Sequence, residues 1–193
     1  GTPGTSPATA LVLLQAQQKL NESAAGMAPR YATVNPAANA GLVNGLSGFF
    51  NPTDTISKQF KNGMMGTGVL GFDEINMSQS IKVHTTGSRA GTILVNGAVS
   101  TQGQSTISID GLTGATDTVT VGDVFTIAGV FAVNPQTRES TGSLQQFVVT
   151  AAQTGVSNAL TNMAISPAIF TSTSALATVD SFPADNAAVT FVG

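Results

Sequence analysis

The sequence predicts an α+β chain in which an α/β segment is interrupted by an antiparallel β-domain. Proline-marked helix starts gather in the first third of the 193 residues, at Ser6-Pro7, Asn35-Pro36 and Asn51-Pro52. Beyond Val69 the pattern turns to alternating apolar and polar residues, punctuated by the hairpin-type dipeptides Asn96-Gly97 and Asp110-Gly111. Composition points the same way. Only 9% of residues are charged, and Thr, Ser, Asn and Gln take their place. Such a neutral, hydroxyl-rich surface suits β-structure, and it leaves little charge to keep copies of the chain apart.

Taken in order, Ser6 offers an N-cap oxygen and Pro7 fits the first helical position, so a helix is expected over Pro7–Ala25. Ala10, Leu13, Leu14, Gln17, Leu20 and Ala24 share one face of it, and Gly26 supplies the stop. Arg30–Asn35 reads as a short strand. Asn35-Pro36 opens a second helix ending at Asn44-Gly45, and Asn51-Pro52 precedes a third over Thr53–Lys61, stopped by Gly63. Strand patterns follow at Ile81–His84, Thr106–Ile109, Val119–Val121, Val124–Val133 and Phe147–Thr150. Turn residues return every ~10–15 positions, as a sandwich or barrel requires. A last strand, Ala187–Val192, is assigned to the first module. The expected organisation is residues 1–70 as an α/β core segment, 71–167 as an inserted β-domain able to fold alone, and 168–193 as a return to the core.

The residue inventory excludes much chemistry. There is no cysteine, which removes disulfides, thiolate nucleophiles and cysteine-based metal sites. His84 is the only histidine, so a site needing two imidazoles is impossible and any Ser-His-Asp triad would depend on it. A net charge of -3 argues against a nucleic-acid binder. No run approaches the ~18 apolar residues of a membrane helix. Gly66-Thr67-Gly68-Val69-Leu70-Gly71 fits GxGxxG, but a helix precedes it and β-structure follows, the reverse of a dinucleotide site. It reads instead as a glycine hinge between modules. His84 is expected as a solvated strand residue sharing a face with Lys82 and Thr86. Asp73-Glu74 is expected to cap or salt-bridge the start of the β-domain, and the sequons at Asn21 and Asn76 carry no functional weight. The expectation is therefore a non-enzyme with no catalytic, cofactor-binding or metal-binding residues.

Three landmarks, in order, resemble a known family. They are Tyr31-Ala32-Thr33-Val34-Asn35-Pro36 after an amphipathic helix, the glycine-rich stretch closing on Gly71-Phe72-Asp73-Glu74, and Val121-Gly122-Asp123-Val124-Phe125-Thr126-Ile127-Ala128-Gly129-Val130. Together they resemble the coat proteins of the P22-like tailed bacteriophages, in a likeness that spans most of the chain. The resemblance implies a capsid-type α/β core of the Hong Kong ninety-seven fold, axial-domain-like in its first residues, with a small β-barrel as the inserted domain. It implies a major coat protein that builds an icosahedral shell by self-association into hexamers and pentamers, with a scaffolding protein as partner. It also implies a place in the virion capsid after synthesis in the bacterial cytoplasm. The chain has no initiator Met and reads as a fragment of such a subunit. The rival expectation is a phage-tail or bacterial-surface β-domain that binds a receptor or glycan, but an adhesin has no evident use for helix, strand, helix, helix before its β-domain.

Overall fold

The computed structural model describes residues 5–47, 63, 65–114 and 116–192. The chain divides into two compact units, 1–83 and 84–193.

In the first unit, α1 (Ala10–Glu22) leads to β1 (Tyr31–Val34), α2 (Pro36–Leu46), β2 (Gly66–Val69) and β3 (Phe72–Met77). β3 is the middle strand, parallel to β1 and antiparallel to β2. Leu13 of α1, Leu42 and Leu46 of α2, Met65, Phe72 and Ile75 form the core. Asn35 acts as the sequence predicts, its side chain accepting the Ala38 N–H at 2.7 Å ahead of Pro36. The first helix begins later than its Ser6-Pro7 signal suggests. Gly41 and Gly45 leave one face of α2 bare, and the backbone of Pro7 and Ala8 lies against it. A Cβ at Gly41 would stand 2.6 Å from the Pro7 carbonyl oxygen, and one at Gly45 would collide with that of Ala8. Packing thus holds residues 6–8 out of the helix. The expected third helix, Thr53–Lys61, lies outside the described residues.

The expected glycine hinge is a β-hairpin. Val69 pairs with Phe72 across a two-residue turn in which Leu70 (φ 49°) and Gly71 (φ 84°) both take left-handed conformations, the primed geometry that matches strand twist.

The second unit holds β4 (Gly91–Val95), β5 (Gln104–Leu112), β6 (Thr118–Val119), β7 (Val124–Val133), β8 (Ser140–Val149), β9 (Gln153–Thr154), β10 (Leu160–Ile169) and β11 (Val189–Val192). Six strands form one sheet in the order β11-β7-β8-β10-β5-β4, and β6 pairs with β9. The six-stranded sheet nearly closes into a barrel. β11 runs beside β7 from Val189–Ile127 to Val192–Val124. Just before it, Ala188 bridges to Leu94 of β4, the Val95 N–H donates to the Ala187 carbonyl, and the Asn186 N–H donates to the Val95 carbonyl. Phe125, Phe147, Ile107, Ile109, Ile127, Leu160, Met163 and Ile169 fill the interior. Phe125 stacks on Phe147 at 5.6 Å and meets Phe191 at 5.2 Å.

Three sequence expectations change here. Residues 81–84 belong to no described strand. Asp110-Gly111 is not a turn but lies within β5, where Gly111 (φ 77°) meets the Thr92 carbonyl so closely that no side chain fits, beside a register shift against β4. Residues 168–193 do not return to the first unit, because β11 covers the open edge of β7 and reaches β4, burying Val189 in the barrel core.

Closure makes the C-terminal strand part of the β-domain. The isolated segment 84–193 is expected to melt cooperatively and to give a well-dispersed amide spectrum. Segment 71–167, which lacks β11, should not. A dispersed spectrum from 71–167 would show that closure is dispensable.

Candidate functional site

A charge-poor chain that buries a charge must satisfy it, and the second unit does this at Asp123. The carboxylate is fully buried. Its Oδ1 accepts from His84 Nε2 at 2.8 Å and from the Thr120 hydroxyl at 3.0 Å. Its Oδ2 accepts from the Arg89 guanidinium at 2.7 Å and the Thr120 N–H at 3.0 Å. The Gly87 N–H lies within 3.3 Å of both oxygens. The turn that positions Asp123 is closed by its own N–H donating to the Thr120 carbonyl, with the Gly122 N–H held by the Val149 carbonyl. Arg89 also donates to the Gly87 carbonyl and lies 3.7 Å above the Phe191 ring of β11. One carboxylate therefore ties the 84–89 segment, the turn before β7 and the closing strand together.

Burial pushes the Asp123 pKa up, but the hydrogen bonds from the Thr120 N–H, His84, the Gly87 N–H and the Thr120 hydroxyl outweigh it, and the carboxyl sits below its ordinary value. Burial also lowers the Arg89 pKa, against the opposing charge and hydrogen bond of Asp123. With both oxygens occupied by donors, Asp123 has no free lone pair aimed at a substrate or a metal ion. The arrangement is a brace. Among the described residues no group of three or more His, Asp or Glu could hold a metal ion. A shallow cavity of about 280 Å³ opens beside the brace, where β4 and β11 splay apart, lined by Arg89, Gly91, Ile93, Val189 and Phe191 among others.

The structure relocates most of the residues singled out from sequence. His84 is not a free strand residue but a partner of Asp123, with its side chain 42% exposed. Asp73 accepts the Arg30 backbone N–H at 2.6 Å, joining β3 to the start of β1, and among the described residues it makes no salt bridge. Asn21 accepts from the Arg30 guanidinium, which also donates to the Ala25 and Gly26 carbonyls after α1. The GxGxxG residues form the β2–β3 hairpin. Sequence reasoning missed the Asp123 brace. Its one local signal is an acid set between Thr120-Val121-Gly122 and a ten-residue apolar strand, a spacing that suits a hydroxyl turn.

A model of the P22 coat protein family, described as gene protein 5, matches residues 13–193. The solved structure described as the CUS-3 coat protein I-domain is similar over 53% of this chain and 96% of its own, at 28% sequence identity and a TM-score of 0.38. No curated protein matches.

Removing one partner of a buried charge pair leaves the other uncompensated. Asp123→Ala is expected to destabilise the β-unit by about 3–5 kcal/mol, read from urea unfolding. Because the folded pKa is depressed, the contribution of Asp123 is fully present above the unfolded value of about 3.9 and is lost as pH falls through the lower folded value. Asp123→Asn should flatten that acid limb of the stability profile. An unchanged limb would mean that other carboxylates control it.

Proposed function

The chain belongs to the P22 coat protein family, and from that membership we propose how it works as a shell subunit. It is a phage major coat protein, and coat proteins of this family act structurally, by self-association into a capsid. The family match over residues 13–193 carries this conclusion, and it sets aside the rival reading of a receptor- or glycan-binding domain. Our finer reading is that copies gather in hexamers and pentamers, guided by a scaffolding protein, after synthesis in the bacterial cytoplasm. The chemistry of the surface supports it. A chain with 7 basic and 10 acidic residues in 193 offers little electrostatic repulsion between copies, so shape and backbone pairing can govern association.

We also propose that the chain carries no catalytic residue. The support is its inventory: no cysteine, one histidine already bonded to a saturated carboxylate, and a GxGxxG that forms a hairpin.

The coat protein bearing this sequence, co-expressed with its scaffolding partner, is expected to form closed shells visible by electron microscopy and light scattering. Peptides of residues 13–193 should be recovered from the purified particles. Particles lacking these peptides, or no particles under any condition, would overturn the assignment.

A further inference from the structure

Just past the end of β4, Asn96-Gly97 is a pair that can react with itself. Attack by the next backbone nitrogen on an asparagine side-chain carbonyl closes an unstrained five-membered ring, and glycine has no Cβ to shield that nitrogen. The sequence contains three such pairs, Asn44-Gly45, Asn62-Gly63 and Asn96-Gly97. Asn44-Gly45 lies inside α2, where the glycine nitrogen is committed to the helical ladder. Asn62 lies outside the described residues.

Asn96-Gly97 is placed differently. Both residues are exposed and belong to no helix or strand. The Asn96 side chain makes no hydrogen bond among the described residues. Gly97 takes a left-handed conformation (φ 86°), with open space where a Cβ would stand. One contact holds the reactive nitrogen back: the Gly97 N–H donates to Asp185 Oδ1 at 2.8 Å. Asp185 is itself positioned. Its Oδ2 accepts from the Asn186 side-chain amide at 2.9 Å, and the Asn186 N–H donates to the Val95 carbonyl at 2.9 Å. The Gly97 nitrogen must give up its proton before it attacks, and a carboxylate beside it disfavours the negative charge that results.

We propose that Asn96-Gly97 is a self-modification site and that Asp185 is its guard. In the reaction the Gly97 nitrogen loses its proton to solvent and bonds to Asn96 Cγ. The bond from Cγ to the side-chain nitrogen breaks, and that nitrogen takes up a proton and leaves as ammonia. A five-membered imide remains. Water then opens the ring by breaking one of its two carbonyl–nitrogen bonds, which leaves aspartate or isoaspartate at position 96. Either product adds a negative charge to the loop that Asp185 braces, and isoaspartate also adds a methylene to the main chain ahead of Gly97. Both weaken the contacts from Val95 and Gly97 to residues 185–187, so the barrel ages from its seam.

Incubation of the purified chain in warm, mildly alkaline buffer tests it. Trypsin separates the two described pairs, Asn44 into peptide 31–58 and Asn96 into peptide 90–138. Each is read by the mass gain of an amide turned acid, and isoaspartate by labelling with an isoaspartyl methyltransferase. In the folded chain Asn96 is expected to convert faster than Asn44, and more slowly than it does in urea. Asp185→Ala should speed conversion at Asn96 about tenfold, the scale of one hydrogen bond to a charged acceptor, and leave Asn44 unchanged. Asp185→Asn keeps an oxygen acceptor without the charge and should give a smaller gain, which serves if Asp185→Ala does not fold. A dispersed amide spectrum checks the fold of each variant. Asn96 left unmodified in the folded wild type and in both variants would overturn the site. Conversion as fast in the folded chain as in urea, or no gain in a folded variant, would overturn the guard.

Discussion

The second unit depends on closing its sheet. Six strands laid side by side leave two edges whose N–H and C=O groups must bond to something. Here the last strand, β11, covers the edge of β7, and the residues just before it, Asn186–Ala188, reach across to Leu94 and Val95 of β4. Closing the circle buries Val189 and brings Phe191 against Phe125. It also sets the ring of Phe191 under Arg89, so the aromatic core and the Asp123 brace meet at the same seam. A strand more than ninety residues from β4 in sequence thus completes what β4 begins.

With so few charges available, the chain uses its aspartates as stitches. Several accept a backbone N–H from another loop or strand: Asp73 from Arg30, Asp117 from Ala90, Asp123 from Gly87, Asp180 from Phe131, and Asp185 from Gly97. A charged acceptor makes a stronger bond than a neutral one and fixes the position of a segment that has no ladder of its own. Asp180 and Asp185 act in this way on the stretch leading into β11, which steers the closing strand to its slot.

In the first unit the same economy appears in a different form. The Arg30 guanidinium gathers the carbonyls that follow α1, while its backbone bonds to Asp73 in both directions. One residue therefore ends a helix, starts β1 and joins it to β3. The bare face of α2 at Gly41 and Gly45 serves the opposite need, admitting a backbone where a side chain would collide.

Local chemistry was legible in the sequence. The Asn35-Pro36 cap, the part of the apolar face of α1 formed by Ala10, Leu13 and Leu20 (Leu14 is exposed), the run Val124–Val133 that became β7 without change of boundary, and the scarcity of charge all rest on interactions within a few residues or on composition. The family's ordered landmarks were legible for the same reason, being short local patterns. Tertiary structure alone decided the rest. Ser6-Pro7 lost its helix to packing against α2. Ile81–His84 has a strand pattern but pairs with no described strand, since alternation prepares a strand and only a neighbour makes one. His84 and Asp123 stand 39 positions apart, and no spacing rule connects them. The fate of residues 187–192 shows the division most plainly: their alternation announces a strand, but which sheet receives it depends on where an edge lies open, and that is settled only when the other strands have already taken their places.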